Sequence, residues 1–331
     1  MVLIFLLVCI VYGIKFYGLM VAGTKGKLLK RIKKLITLHI HKNTPLTKSD
    51  LNILNKNIRV TLNAAEHFDE HHVNSPGWAQ VRAEIIHKIF MPKIESMHRS
   101  IEVYDRYFAA KLLYYHMDEA HIPIVITLIK DPVLLIAIEA MAIGFKYTSA
   151  SIINASIDEF SHKRRIRQSM LADVASGNGD LVKKIIIERL ESESEAFAKA
   201  FCYRLLLRMN ATHHLPKDLR DDIESDTLEL TLAALNYAAH NAESCDLIPA
   251  YLNAPQWQVR AAAAKLIGIT KNETCLDELE KLLGDPEWWV RVRAAESLRK
   301  LGQAGIAILK AQSADKDKFA YDVACEALLA I

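Results

Sequence analysis

Glycine and proline are scarce in this sequence of 331 residues, with 12 glycines and 9 prolines, whereas 51% of the residues are hydrophobic. A chain of this composition and length can bury a large core or build a long repeat array, which argues against disorder over its whole length. The net charge is only +3, so composition makes no general case for a nucleic-acid partner, and we expect none.

Paired cysteines are also missing. No C-x-x-C motif occurs, and the five cysteines are odd in number and widely separated. This spacing argues against a disulfide framework and favours free thiols, mostly buried, in a reducing compartment. They are Cys9, Cys202, Cys245, Cys275 and Cys325.

Catalytic motifs are absent except for one. There is no glycine-rich phosphate loop and no G-x-S-x-G, so we predict no catalytic residue, no cofactor and no enzyme. Residues 67–71 do match H-x-x-E-H, the pattern that places two zinc ligands and a glutamate base one turn apart in inverted zinc peptidases. A catalytic zinc would need a further ligand from a distant helix, and none is identifiable. We therefore predict no resident metal, and surface metal binding by His67 and His71 stays open.

The N-terminus is the longest apolar run of the chain. Residues 2–22 carry a single charge, Lys15, and are just long enough to span a hydrocarbon core of about 30 Å as a helix. Lys15 costs roughly 2.5–3.5 kcal/mol near the membrane centre, but lysine can extend toward an interface. We predict a transmembrane anchor over residues 1–24. A cleaved signal peptide is the alternative, although it would carry its basic residues before the apolar run.

Positive charge is concentrated directly after that run. No acidic residue precedes Asp50, and six basic residues fall within Lys25–Lys34. The positive-inside rule then predicts a single-pass protein of the inner membrane with most of the chain in the cytoplasm. Residues 25–49 form a basic juxtamembrane segment with two open interpretations, a topology signal alone or an interfacial helix on anionic lipid. The apolar residues at helical spacing that favour the second are Leu28, Leu29, Ile32, Leu35 and Ile36.

The C-terminal part repeats itself with a period of 31 residues. Ten positions agree in chemical character, and the period indicates paired helices that must stack on their neighbours to bury their apolar faces. Gly284 and Pro286 end the first helix of a pair, and the paired alanines of the second helix predict a close helix–helix approach. The matching positions are Ile248/Leu279, Tyr251/Leu282, Leu252/Leu283, Pro255/Pro286, Trp257/Trp288, Val259/Val290, Arg260/Arg291, Ala263/Ala294, Ala264/Ala295 and Ile267/Leu298.

The same frame extends toward the N-terminus with lower fidelity. Pro132, preceded by Asp131, occupies the proline position of one unit, and Arg106 occupies the arginine position of the unit before it. We assign residues 101–331 to the repeats. Residues 50–100 fit the frame poorly and are predicted to form a helical linker and N-terminal cap, since terminal repeats are atypical.

Residues 285–295 read D-P-x-x-x-V-R-x-x-A-A, which resembles the HEAT repeat, especially its short bacterial form that is also found in phycobilisome lyase-like proteins. The resemblance covers roughly residues 100–331. It weakens at Ala254, which replaces the aspartate, and at the Pro132 unit, which lacks the arginine.

The resemblance implies an all-α fold, an α-solenoid of armadillo type built from helical hairpins. It also implies a non-catalytic scaffold or adaptor, which the predicted anchor would place at the membrane to bind a protein partner there. An anchor ahead of short HEAT repeats is similar to bacterial proteins associated with envelope or surface-polysaccharide synthesis. The alternative that the resemblance allows is a lyase- or chaperone-like protein acting on a cofactor-bearing protein.

The candidate partner-binding residues lie in the two clearest repeats. Trp and Arg are enriched at interface hot spots, which points to Trp257, Trp288, Trp289 and Arg293. For Trp257 and Trp288 an alternative is that they cover the hydrophobic stack between hairpins. Trp289 breaks the repeat and Arg293 is expected to be the freer arginine. Arg260 and Arg291 are expected to pair with carboxylates or carbonyls of the adjoining turn.

Overall fold

A computed structural model describes residues 26–72, 74–312 and 314–329, and all regular structure in those ranges is helical. The all-α prediction is therefore confirmed for the described part of the chain. The predicted anchor over residues 1–24 and Cys9 lie outside the described residues. Within the described ranges, no helix combines the length and the low polarity that a membrane crossing requires.

The chain divides between Ala140 and Met141, within helix α8, into two compact units. The helices of the first unit begin with α1, which is described over residues 26–42. They are followed by α2 (Lys48–Lys56), α3 (Ile58–His71), α4 (Pro76–Ile85), a π-helix (Ile86–Phe90), α5 (Met91–Met97), α6 (Val103–Tyr115), a 3-10 turn (Glu119–His121), α7 (Ile122–Ile129) and α8 (Leu134–Lys146).

The second unit continues with a longer series of helices. They are α9 (Ala150–Ser161), α10 (Arg165–Ala175), α11 (Asp180–Ser192), α12 (Ala196–Arg208), α13 (Leu219–Ile223), α14 (Leu228–His240), a 3-10 helix (Cys245–Asn253), α15 (Trp257–Thr270), a 3-10 turn (Glu273–Cys275), α16 (Leu276–Leu282), α17 (Trp288–Lys300), α18 (Gln303–Ala311) and α19 (Lys318–Leu329).

Helix α1 turns its apolar face into the first unit. Ile32 and Ile36 are completely buried, and a Cβ atom on Gly77 of α4 would lie 2.5 Å from the carbonyl oxygen of Ile40. An interfacial helix must offer its apolar face to lipid. Because α1 buries that face in the protein, the interpretation of residues 25–49 as an interfacial helix is wrong for the apolar face. The basic face remains exposed at Lys27, Lys30, Arg31 and Lys34.

Residues 50–100 are helical, as expected, and contribute buried residues such as Leu54, Phe68 and Trp78 to the core of the first unit. Helix α2 begins with a capping box in which Thr47 and Asp50 satisfy each other's backbone amides. Helix α4 runs through the π-helix into α5. Pro92 has no amide hydrogen for the carbonyl of Lys88, so the helical ladder is interrupted just after the π-helix.

The second unit shows the predicted pairing of helices. Its last three hairpins combine the 3-10 helix with α15, α16 with α17, and α18 with α19, and the second helices α12, α14, α15, α17 and α19 pack one after another. The first member of the Pro255 repeat is a 3-10 helix with Pro249 inside it. Proline cannot donate to the α-helical ladder, which accounts for this departure from the expected α-helix.

The close helix–helix approach predicted from the paired alanines is confirmed. Ala264 and Ala294 are fully buried where α15 packs on α17. The Ser297 hydroxyl donates to the carbonyl oxygen of Ala264 at 2.7 Å, and a Cβ atom on Gly268 would lie 2.5 Å from the Ser297 Oγ. Small residues on both helices are therefore required at this contact.

Four of the five cysteines lie in the described residues and all four are free thiols. Cys202 and Cys275 are buried, and Cys245 and Cys325 are half-buried. The absence of a disulfide framework among these four residues agrees with their spacing in the sequence.

Candidate functional site

Arg260 joins two consecutive hairpins of the second unit. Its Nε and Nη2 donate to both carboxylate oxygens of Asp285 at 2.8 and 3.0 Å, and its Nη1 donates to the carbonyls of Ala254 and Pro255 at 2.9 and 3.0 Å. The hydrogen bond from Arg260 to Asp285 raises the pKa of the guanidinium. The expected pairing with a carboxylate and with carbonyls of the turn is confirmed, which makes Arg260 a structural residue.

Arg106 makes the same set of contacts in the first unit. It donates to Asp131 at 2.6 and 3.3 Å and to the carbonyls of Ser100 and Ile101 at 2.9 and 3.1 Å. In both cases the arginine and the aspartate are 25 residues apart. The agreement in geometry supports the repeat frame at the weaker, N-terminal position.

Arg291 lacks the carboxylate half of this arrangement. Its Nη1 donates to the carbonyls of Asp285 and Pro286 at 2.7 and 3.2 Å, but its buried Nε has no hydrogen-bond partner among the described residues. The residue 25 positions on is Lys316, a base. The Arg291 guanidinium instead lies 5.2 Å from the ring centroid of Phe319, a cation–π distance.

Trp288 and Trp289 form an exposed aromatic pair at the start of α17. Their ring centroids are 4.6 Å apart at an interplanar angle of 69°, and the two residues are 47% and 48% exposed. Such exposure of two tryptophans is unusual for residues that only cover a core, so the burial expected for Trp288 under the alternative interpretation is not observed. Trp257, at the start of α15, is half-buried and makes no ring contact with the pair within the described residues.

The exposed surface includes one aromatic residue that sequence reasoning missed. Phe319 lies 31 positions after Trp288, just as Trp288 lies 31 positions after Trp257, and it is 65% exposed. The 31-residue period could have identified Phe319 from the sequence, but the repeat pattern is less regular around residue 317. We define the aromatic row as Trp257, Trp288, Trp289 and Phe319.

Arg293 adds a charge to the aromatic row, although it is not free as expected. Its Nη1 donates to Glu296 at 2.7 Å, and its guanidinium lies 5.8 Å from the ring centroid of Trp289. A small cleft of about 210 Å³ begins at Trp288 and reaches Arg299 and Val323. The arrangement offers apolar area, a cation and a neighbouring recess, which are features of a protein-binding surface rather than of a reaction centre.

The H-x-x-E-H stretch forms a compact cluster on α3. Ligand atoms of His67, Glu70 and His71 all lie within 4.8 Å of one another, and all three residues come from one helix. Desolvation, followed by the charge of Lys33, lowers the pKa of His67, which favours the neutral imidazole, the form that coordinates a metal. Glu70 and His71 are exposed, so the cluster could hold a divalent transition metal at the surface without a water-excluding substrate cleft.

Asp69, in the middle of that stretch, has a different role. Its carboxylate accepts from the Trp78 indole at 2.8 Å and from the Arg82 Nε at 3.0 Å. It therefore anchors α3 to α4 and does not take part in the histidine cluster.

Comparison with models of known protein families finds a match in the C-terminal part of the chain. Residues 246–329 match the family model described as HEAT repeats, which spans the last three hairpins from the 3-10 helix to the end of α19. No curated protein matches the chain. The helical hairpins of this region and the contact between Arg260 and Asp285 agree with HEAT repeats over residues 246–329.

Proposed function

We propose that this chain is a scaffold that binds a protein partner through the aromatic row of its HEAT repeats and is held at a membrane by residues 2–22. The observation that carries the proposal is the exposure of Trp288, Trp289 and Phe319 within the matched repeats. Repeat proteins use extended surfaces of this kind for binding, and tryptophan contributes disproportionately to interface affinity.

The second part of the proposal concerns membrane attachment at the cytoplasmic face. It rests on the apolar run of residues 2–22 and on the basic residues that follow it. The exposed cations of α1 agree with a position next to anionic headgroups, to which each basic residue near the surface contributes about 1 kcal/mol.

Partner binding is tested by site-specific photo-crosslinking in cells. A photoreactive phenylalanine at position 289 or 319 should give one discrete adduct, whereas the same residue at Ile166, which is 72% exposed on α10, should give none. With the photoreactive phenylalanine at position 319, Trp288→Ala and Trp289→Ala should each weaken the adduct roughly thirtyfold, the loss expected for a hot spot of about 2 kcal/mol. Equal adducts at 166 and 289 would show non-specific contact and contradict the proposal.

Membrane attachment is tested by fractionation of the full chain. The protein should stay with membranes through alkaline carbonate, and deletion of residues 1–24 should release it. A cytoplasmic reporter fused after Ile331 should be active and a periplasmic one silent. An unchanged membrane fraction after the deletion would show that the anchor assignment is wrong.

A further inference from the structure

The first unit contains a cleft of about 750 Å³ between α1, α3 and α6. This volume falls within the range of about 300–1,000 Å³ that is typical of small-molecule sites. Its walls are mainly apolar and include Leu29, Val60 and Phe108. None of the residues that line the cleft belongs to the aromatic row or to the arginine–aspartate contacts.

The polar residues of the cleft carry positive charge. Lys56 and Arg59 line it and are both exposed, and no aspartate or glutamate of the described residues is among its walls. The Arg59 guanidinium lies 3.5 Å from the ring centroid of Tyr104, so a cation–π contact holds it over the cleft. Neither cation has an ion-pair partner within the described ranges.

The cleft also lies close in sequence to the apolar N-terminal run. That run ends at Ala22, and Gly26, only four residues later, is part of the cleft wall. Four residues span at most about 14 Å. A membrane-inserted run would therefore hold the cleft at the membrane surface.

We propose that this cleft binds one anionic membrane phospholipid, with an acyl chain against the apolar wall and the phosphate at Arg59 and Lys56. The inference rests on the proposed membrane attachment, which brings lipid to the cleft. An anionic amphiphile matches both halves of the site. A soluble phosphate would leave the apolar wall unused, and an uncharged apolar segment would make no use of the two cations.

The site is tested with the full-length protein in phosphatidylcholine vesicles that contain a trace of phosphatidylglycerol with a photoactivatable acyl chain. Labelled peptides should come from residues 56–63 and 97–108. The matched photoactivatable phosphatidylcholine should label these peptides weakly. Equal labelling by the two probes would overturn the phosphate assignment.

Two pairs of variants locate the label. Asn63→Trp places an indole in the cleft and should strongly reduce labelling, whereas Asn55→Trp, on an exposed position of α2 outside the cleft, should not. Lys56→Glu with Arg59→Glu should reduce labelling about thirtyfold, because each cation near an anionic headgroup contributes about fivefold. The control for charge is Lys48→Glu with Lys130→Glu, two exposed lysines outside α1 and outside the cleft, which changes the net charge equally and should leave labelling intact.

Three further results would overturn the proposal. Labelling that persists in Asn63→Trp would place the lipid elsewhere. Full displacement of the label by inorganic phosphate would make the ligand a free anion. Rapid disulfide formation between Cys9 and an Asn63→Cys variant would show that the N-terminal run itself fills the cleft.

Carbonate extraction separates this proposal from that of the anchor. If the wild-type protein stays in the pellet but is not labelled in the cleft, the lipid-site proposal is wrong and the anchor proposal is supported. If carbonate releases the protein but the cleft is still labelled selectively, the anchor proposal is wrong and the lipid site is supported by the cleft alone.

Discussion

Single residues connect the hairpins of this chain, and Asp285 shows how. Its carboxylate accepts two hydrogen bonds from Arg260 of the preceding hairpin and a third from the backbone amide of Glu287 at 2.9 Å. The Asp285 side chain is only 5% exposed and that of Arg260 only 15%. Charge-assisted bonds in such a shielded place are stronger than those between exposed side chains.

We expect Asp285→Ala to lower the free energy of unfolding by about 1.5–3 kcal/mol, because it leaves a largely buried guanidinium without its carboxylate. Glu296→Ala is the matched control. It breaks a more exposed pair with Arg293, which should cost no more than about 1 kcal/mol. Denaturant unfolding of both variants measures the difference, and equal losses would contradict a special role for Asp285.

Ionisation of Glu193 favours the folded state. Burial opposes its ionisation, but the amides of Ser194 and Glu195, which donate at 2.8 and 2.9 Å, and the charge of Arg189 outweigh that effect and lower its pKa. The unfolded carboxyl, with a pKa of 4.5, therefore binds its proton first as the pH falls. The stabilisation is complete above pH 4.5 and is lost as the pH drops through the lower folded value.

Glu193→Gln should therefore make the acid loss of stability shallower below pH 4.5, by up to about 1.4 kcal/mol per pH unit. Glu188→Gln, which removes a carboxylate from the exposed side of α11, is the matched control. Urea unfolding at a series of pH values between neutrality and pH 3 measures the slopes. A slope for Glu193→Gln that matches the wild type would show that this carboxylate does not contribute.

At the scale of helices, periodicity predicted the hairpins but not what covers each face. The 31-residue frame located the second helices and the small residues between α15 and α17. It also marked an apolar face on α1, which the sequence could not distinguish from a lipid-facing surface. Ile32 and Ile36 are covered by the protein itself, a tertiary contact that no local pattern encodes.

The candidate site was predictable to a similar degree. Residue type and repeat position singled out Trp257, Trp288, Trp289 and Arg293, and the structure brings the last three together. The ion pair of Arg293 with Glu296 could not be predicted from the sequence, because it depends on the direction in which each side chain points. Phe319 was missed because the frame is irregular where α18 and α19 meet, although its position follows the period.

The contact between α17 and α18 depends on one glycine that the repeat pattern does not mark. A Cβ atom on Gly305 would lie 1.9 Å from the carbonyl oxygen of Leu298. Because that obstacle is backbone, it cannot rotate away as a side chain could. The two helices can keep their present distance only if position 305 has no side chain.

We expect Gly305→Ala to destabilise the last hairpin by about 1–3 kcal/mol, the usual cost of overpacking. Gly177→Ala, at a turn where nothing lies within 4 Å of the added atom, should change stability by no more than about 0.5 kcal/mol. Thermal unfolding of the two variants is the measurement. A tolerated alanine at 305 would mean that α17 and α18 separate easily.

At the scale of the whole molecule, the question is whether the chain behaves as stacked repeats or as one cooperative core. Ala294 is completely buried where α17 packs on α15, at the repeat position shared with Ala263. Leucine there must push the helices apart, at a cost of about 1–3 kcal/mol. Repeats that contact only their neighbours should confine that loss to the nearby hairpins.

Hydrogen exchange of the full chain tests this expectation, with Ala307→Leu on the exposed side of α18 as the control. In Ala294→Leu, exchange should become faster within residues 246–329, while residues 26–140 keep their protection. Faster exchange throughout the chain would indicate a single cooperative core, because the loss would then be shared by elements that do not touch the substitution. Unchanged protection in residues 246–329 would mean that the helices around Ala294 can absorb three more carbon atoms, and the close approach of α15 and α17 would then not be what holds these repeats together.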